Sequence, residues 1–246
     1  MWEATIDGRV LHFHLAGINN QNFIMRDEET GTWWQQVSGE AILGPLKGQR
    51  LKSVFHDEIS FALWKNEQPE GRVLRPDERI LAAKEYAGED WEQRMARAPV
   101  VKGVDQDHRL EPRALVIGLT LGAKTTAYPF SALQKQSPIM DFVGEIPIVV
   151  VLGEDNRSVR AYERTLDGRR LEFFKRLDET KAEAKPKAAG FQLLDAETGS
   201  VWSFEGRATS GPLAGRQLKK VAMLEDYWFD WRIYHPDTAV YQIGEQ

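Results

Sequence analysis

The chain has 246 residues, 42% of them apolar, so it is long enough to bury a sizeable core in one large domain or two small ones. Its net charge of −5 offers no general attraction to phosphate backbones, which argues against nucleic acid as a partner. The absence of cysteine excludes disulfides, thiolate metal sites and thiol nucleophiles. No apolar run is long enough to span a bilayer and no signal peptide is recognisable, so we expect a soluble globular protein of unassigned compartment.

The first predicted element is a β-hairpin around Asp7-Gly8, which has a match at Asp167-Gly168. In both places an Asp-Gly turn separates two short alternating segments, which is typical of a hairpin. The second hairpin is preceded by strand-like sequence, whereas the first is preceded by almost none. The first copy is therefore predicted to lack its N-terminal strands.

A second repeated stretch runs from Asp27 to Trp34 and again from Asp195 to Trp202. It predicts a strand, a turn that places Gly31 at positive φ, and a returning strand. Asp27 and Thr30 are interpreted as side chains that bond the turn backbone. The alternative is that the carboxylates of each turn hold a hard cation, although two are few for calcium.

A Gly-Pro-Leu motif follows in each copy, at 44–51 and 211–218. It predicts a tight turn, because proline fixes φ and the closing glycine takes the left-handed conformation. A phosphate cradle is disfavoured, because no helix start follows the glycines. The same spacing of 167 positions relates Trp64 to Trp231. Agreement at this many positions predicts an internal duplication.

Each copy ends in a predicted short helix. Residues 224–234 place aromatic side chains three apart on one face, and a proline follows the helix. Trp64 and Trp231 are therefore predicted to be equivalent core residues, with Phe61 beside Trp64.

The segment between the copies is predicted to be a helical connector, with a helix start at Pro76 and helical spacing from Ile80 to Tyr86. These boundaries give a partial first repeat at 1–75, a connector at 76–113 and a complete second repeat at 114–246, packed as one body. The fold class that follows is mainly β (α+β), a duplicated β-rich unit with short helices. Within the second repeat, Ile146–Leu152 is a predicted apolar strand and Lys175–Lys187 a predicted solvated loop.

Several motifs in this order resemble an uncharacterised bacterial family known as domain of unknown function 3179. Beyond the repeated turns, they are Asp-x-Arg-Leu-x-Pro at 107–112, Ala-Tyr-Pro at 127–129, Gly-x-x-Pro-Ile-Val-Val at 144–150 and His-Pro-Asp-Thr at 235–238. The resemblance covers Val104 to Tyr241 as a full unit and Trp2 to Leu74 as a partial one. It implies no activity, cofactor or catalytic residue. Members often carry a Cys-x-x-Cys where this chain reads Gly153–Ser158, so any role of such a pair is absent here.

Candidate ligand-binding side chains come from the second repeat. They are Tyr128, Asp141, Arg160, His235 and Asp237. A histidine beside a helix end is also a common capping group. His12 and His14 would share one strand face, but a solvated face is favoured because no third histidine is near, and no metal site is predicted.

Two functions are compatible with these residues. The favoured one is a non-catalytic ligand-binding or scaffold module that presents Trp2, Trp33 and Trp91 to a small-molecule or protein ligand, in a groove lined by both copies. The alternative is an enzyme or metal-binding protein with a site in the second repeat alone, marked by perturbed acidic groups or histidine. No cofactor is indicated.

The sheet edge near Trp2–Phe13 lacks the strands that precede the second hairpin. An open apolar edge invites pairing with another strand. We expect this edge to be completed either by the strands of Ala114–Leu152 or by self-association with a second molecule.

Overall fold

The computed structural model describes residues 1–19, 22–75, 78, 90–100, 107–176 and 191–244. Short strands dominate these residues, and the helices are six or seven residues long, which confirms the predicted mainly β class. The predicted helix start at Pro76 and the spacing from Ile80 to Tyr86 lie outside the described residues, as does most of the segment Lys175–Lys187.

The N-terminal strands form a hairpin and a four-stranded antiparallel sheet. They are β1 (Thr5–Ile6), β2 (Arg9–Val10), β3 (Phe13–Asn19), β4 (Asn22–Asp27), β5 (Trp33–Gln35) and β6 (Ala41–Leu43). β1 and β2 pair through a turn in which Asp7 and Gly8 have φ of 47° and 77°, as a two-residue hairpin of the predicted kind requires. The sheet has the order β3-β4-β5-β6.

The next strands follow the connector. They are β7 (Leu115–Leu121), β8 (Lys124–Pro129), β9 (Ile139–Val143), β10 (Ile146–Leu152) and β11 (Val159–Glu163). After them comes a second hairpin and a second small sheet, made of β12 (Thr165–Leu166), β13 (Arg169–Arg170), β14 (Phe173–Lys175), β15 (Gln192–Asp195), β16 (Val201–Ser203) and β17 (Ala208–Ser210). The small sheet has the order β14-β15-β16-β17, which is the order of the N-terminal sheet.

The last strands complete two further four-stranded sheets. They are β18 (Lys219–Val221), β19 (Met223–Tyr227) and β20 (Ala239–Val240). The two sheets have the orders β18-β11-β10-β9 and β19-β7-β8-β20. Residues 224–227, predicted as the start of a helix, thus belong to an edge strand on β7, and the aromatic spacing that predicted the helix begins only at Trp228.

The four described helices are α1 (Phe61–Glu67), α2 (Trp91–Arg97), α3 (Phe130–Lys135) and α4 (Trp228–Tyr234). α1 and α4 are each seven residues long and lie 167 positions apart. Ser60 caps α1, since its hydroxyl accepts a bond from the amide of Leu63 at 3.3 Å.

β10 lies in the middle of the C-terminal half and is buried on both faces. Ile148 and Val150 pack into one cluster with the β7-β8 sheet, whereas Val149 and Val151 pack into another with the β14–β17 sheet. A strand covered on both faces needs apolar residues at every position, which explains the uninterrupted run that predicted it. α4 covers the outer face of β7.

The two repeated turns make the same hydrogen bonds. The carboxylate of Asp27 accepts bonds from the Thr30 amide at 2.6 Å and from the Trp34 indole at 2.7 Å. Asp195 accepts the corresponding bonds at 2.6 Å and 2.8 Å. The predicted turn role of Asp27 and Thr30 is confirmed, and common ancestry of the two units stays a prediction.

The predicted completion of the N-terminal edge by the strands of Ala114–Leu152 is wrong. Trp2 instead forms an isolated bridge with Ser53, and the β1–β2 hairpin is a two-stranded sheet of its own. The strands that were expected to complete the edge are already paired with one another and with β11, β19 and β20. Self-association through this edge stays a prediction.

Helices α1 and α4 differ in how deeply they are buried. Trp231 is 2% exposed and lies against the backbone of Gly118, where an added Cβ would come within 2.2 Å of its ring. α1 buries none of its residues fully, and Phe61 is 62% exposed and stacked on a half-buried Trp64. The predicted core role is right for Trp231 and wrong for Trp64, because only the Leu63 side of α1 packs on a sheet.

Trp231→Ala should therefore lower the free energy of unfolding by about 3–5 kcal/mol, because it leaves a large cavity against β7. The matched change Trp64→Ala should cost about 1 kcal/mol or less. Urea unfolding of the two variants measures both values, and equal losses would contradict the difference in depth.

Candidate ligand-binding site

Tyr128 and Asp141, two of the predicted candidates, meet in the core. The Tyr128 hydroxyl donates a hydrogen bond of 2.9 Å to the Asp141 carboxylate, and its buried ring stacks on Tyr241. Burial, with Asp141 as the next cause, raises the pKa of Tyr128, so the phenol keeps its proton. The pair links β8 to β9 through a partly buried hydrogen bond.

Arg160, the third candidate, is 4% exposed and forms an ion cluster with the N-terminal part of the chain. Its guanidinium donates to Asp57 at 2.8 Å and to Glu67 at 2.7 Å, and lies 4.9 Å from the centre of the Phe204 ring. Lys220 also donates to Asp57, at 2.6 Å. Burial opposes ionisation of Asp57, but the bonds from Lys220 and Arg160 outweigh it and lower its pKa.

His235 and Asp237, the remaining candidates, follow α4. The His235 amide donates to the Trp231 carbonyl at 3.0 Å, and its ring lies 3.9 Å from the Trp231 ring. Burial lowers the pKa of His235 and favours the neutral imidazole. Asp237 is exposed. The five candidates thus occupy a core pair, an ion cluster and a helix end, and none of them lines the two cavities described below.

A different set of acidic side chains gathers at the edge strand β19. Glu225 and Asp226 belong to β19, Asp230 to α4 and Glu58 to the segment before α1. The Glu58 carboxylate accepts a bond of 3.3 Å from the Glu225 amide, and both carboxylate oxygens of Asp230 accept bonds of 2.5 Å from the Asn22 side chain. Within the described part of the chain, no lysine or arginine forms an ion pair with Glu225, Asp226 or Asp230.

Burial without a basic partner disfavours the charged form of these groups. It raises the pKa of Asp226 to about 8, and the neighbouring Asp230 and Glu58 add to the effect. Burial raises the pKa of Asp230 to about 6 against the opposing bond from Asn22. Burial and Glu58 raise the pKa of Glu225. At neutral pH the Asp226 carboxyl therefore retains its proton.

The larger of two cavities beside β19 has a volume of about 560 Å³. Its aromatic walls are Trp91, Phe130 and Tyr227, and its acidic lining residues include Glu225 and Asp226. Trp91 comes from the connector and is 45% exposed, and the other four belong to the C-terminal half. Glu92, Arg113 and Arg157 also line it, so the cavity combines apolar surface with three carboxyl groups and two guanidinium groups, and its size is typical of small-molecule sites.

The smaller cavity, of about 330 Å³, lies where the N-terminal part meets β19. Its lining includes Trp2, Asn22 and Glu58 from the N-terminal part, together with Glu225 and Asp226. The last two residues therefore border both cavities.

A family model described as a protein of unknown function, DUF3179, matches residues 1–238. The chain belongs to the DUF3179 family. The match runs through both units and the connector, so the family unit is wider than the segment Val104–Tyr241 that carries most of the motifs. No curated protein and no solved structure matches this DUF3179 member significantly.

None of the described helices of this DUF3179 protein is both long and apolar enough to cross a membrane. Among the residues that the structure describes, no group of three or more histidines and acidic residues is arranged to hold a metal ion.

The residues around β19 carry no sequence signal of their own. Glu225 and Asp226 were assigned to a helix, where acidic side chains next to aromatic ones indicate only a solvated face. Their burial results from the packing of the N-terminal part against β19, which no local pattern encodes. The one available signal is that Glu58 and Glu225 lie 167 positions apart, the spacing of the repeated motifs.

Asp226→Asn should stabilise this DUF3179 protein in a pH-dependent way. The carboxyl keeps its proton up to about pH 8 when folded but loses it near its ordinary pKa of 3.8 when unfolded, so the wild-type free energy of unfolding falls as pH rises between these values. The amide has no proton to lose. We expect the variant to be more stable than wild type at pH 8, by an amount about 3–4 kcal/mol larger than at pH 5.

Urea unfolding at pH 5 and pH 8 measures this difference. The exposed change Asp237→Asn serves as the control and should have the same small effect at both pH values. A destabilising effect of Asp226→Asn that grows toward pH 8 would show that the carboxylate is charged and favourably placed.

Proposed function

We propose that this DUF3179 protein is a non-catalytic binding protein whose larger cavity takes a small organic cation with an apolar group. The observation that carries the proposal is the composition of that cavity, in which three aromatic side chains lie beside Glu225 and Asp226, two partly buried carboxyl groups that form no ion pair with a lysine or arginine of the described ranges. A cation would supply the missing charge partner, and the rings favour it through their π faces.

The positive charges near the larger cavity are already engaged. Arg157 forms an ion pair with Glu92. Arg113 donates to the Ala98 carbonyl at 2.5 Å and lies 5.1 Å from the centre of the Tyr227 ring. An anionic ligand would therefore compete with these contacts and would also meet two acidic groups, so the electrostatics favour a cationic ligand.

A binding role also agrees with the origin of the lining residues. The sequence-based hypothesis of a binding module expects a groove lined by both copies, which only the smaller of the two cavities matches, and the hypothesis of an enzyme expects a pocket in the second repeat alone. The connector contributes Trp91 to the larger cavity, and the N-terminal part contributes Trp2, Asn22 and Glu58 to the smaller one.

An enzyme is the second candidate, and one observation favours it. A carboxyl group with a pKa of about 8 beside a cavity is a typical general acid. The proposed binding role needs no further group, whereas an acid–base reaction would need a partner for Asp226, and the predicted candidates Tyr128 and His235 line neither cavity.

The test uses 2-phenylethylammonium as the probe and 2-phenylethanol as its neutral analogue, each titrated calorimetrically at pH 6 and pH 8. Cation binding must displace the proton of Asp226, so affinity for the ammonium probe should rise about tenfold or more over this range as that proton is given up more easily. The alcohol should bind more weakly and without this pH dependence.

Two variants locate the site. Asp226→Asn should abolish the preference for the ammonium probe over the alcohol. Trp91→Ala should weaken binding of the probe by removing one aromatic wall. The exposed Asp237→Asn should leave the titration unchanged. Equal binding of the alcohol and the ammonium probe, or unaltered binding to Asp226→Asn, would refute the proposed function.

A further inference from the structure

The contact between Glu58 and Glu225 has an unusual geometry. The two residues lie 167 positions apart, which is also the spacing between α1 and α4 and between the repeated glycine motifs. They are therefore corresponding residues of the two units, and they touch each other. In a pair of similar units, corresponding residues meet where a two-fold axis passes between them.

Contacts on the two sides of this point are reciprocal. Leu63 of α1 packs into the C-terminal cluster that contains Phe191. Its counterpart in α4, Asp230, bonds Asn22, which precedes the counterpart of Phe191 in the N-terminal sheet. Each unit thus places its short helix against the small sheet of the other.

The side chains that flank this axis in the N-terminal unit correspond to those that flank it in the C-terminal unit. The Trp2 indole donates to the Gln36 carbonyl at 2.6 Å and its ring covers Gly39. In the C-terminal unit, the Tyr162 hydroxyl donates to the Phe204 carbonyl at 2.6 Å and its ring covers Gly206. The pair of Trp2 and Gln36 therefore occupies the same position beside the local axis as the pair of Tyr162 and Phe204.

A guanidinium fills the C-terminal place. Arg160 lies two residues before Tyr162, its guanidinium covers the Phe204 ring, and it pairs with Asp57 and Glu67 of the other unit. The N-terminal place is the smaller cavity, which is lined by Trp2, Gln36 and Glu58 and by Glu225 and Asp226 of β19.

We propose that the smaller cavity binds the guanidinium group of a small ligand, at the place that corresponds to the Arg160 guanidinium across the local axis. The counterparts of Asp57 and Glu67 are Leu224 and Tyr234, so the charge partners in this cavity are Glu58, Glu225 and Asp226. A guanidinium offers five donors in one plane and can serve more than one carboxylate at once.

The electrostatics of the two places support this assignment. On the C-terminal side, two cations lower the pKa of Asp57 although burial opposes it. On the N-terminal side, burial and the neighbouring Glu58 raise the pKa of Glu225. A cation bound in the smaller cavity would lower the pKa of Glu225, as Arg160 and Lys220 lower the pKa of Asp57.

The test uses ethylguanidinium as the probe, with its neutral isostere N-ethylurea at equal concentration and matched ionic strength. The Trp2 indole N–H signal in nuclear magnetic resonance, assigned with Trp2→Phe, reports on the cavity wall. We expect a saturable shift with ethylguanidinium and none with N-ethylurea. The changes Glu225→Gln and Glu58→Gln, made separately, should each weaken binding of the probe about tenfold or more, as loss of a charged partner does.

Two controls make the result specific. The exposed Glu154→Gln should leave binding unchanged, and so should Trp91→Ala, which alters only the larger cavity. The second control separates this site from the proposed function, since either can fail while the other holds. Equal shifts with N-ethylurea, no saturable shift with folded wild-type protein, or unchanged binding to both glutamine variants would overturn the assignment.

Discussion

The relation between the two halves of this protein depends on how the chain compensates charge that it buries between them. Arg160 sits in a sheet strand, yet both of its carboxylate partners belong to the segment that ends in α1. A guanidinium that is 4% exposed would be unfavourable without a charge partner, so loss of Asp57 or Glu67 would destabilise the fold. This requirement holds the N-terminal segment across β11 and brings Leu63 onto the C-terminal apolar cluster.

The contact at β19 belongs to the same junction and has the opposite balance. There the chain buries Asp226 and Asp230 and provides an amide, from Asn22, but no cation within the residues described. A buried acid without a cation keeps its proton, because the neutral form has a lower free energy than the ionised form in a poorly hydrated environment. The junction therefore contains one compensated charge cluster and one cluster of acids that a cationic ligand would stabilise in the charged form.

Features fixed by local chemistry could be predicted from the sequence, and features fixed by distant contacts could not. The Asp7-Gly8 hairpin and the Asp27 turn depend on residues within a few positions, and β10 announces its burial on both faces by an unbroken apolar run. The sequence predicts a helix from Leu224 because the aromatic spacing of α4 extends the pattern backwards, whereas pairing with β7 makes Met223–Tyr227 a strand. Trp64 and Trp231 lie 167 positions apart in two short helices, and they differ in burial because the surface beneath each helix differs.

The candidate site shows the same limit of prediction from the sequence. Comparing the two copies selects the glycines, the turn aspartates and the tryptophans, which are the residues that a small β unit needs wherever it occurs. The residues that make the two places at the junction chemically different are those at which the copies disagree: Asp57 against Leu224, Glu67 against Tyr234 and Phe204 against Gln36. On one side the disagreement yields an ion cluster around Arg160, and on the other it yields a cavity bordered by acids. The residues that recur in both halves therefore account for local turns and strands, and both proposed binding sites depend on residues at which the halves differ.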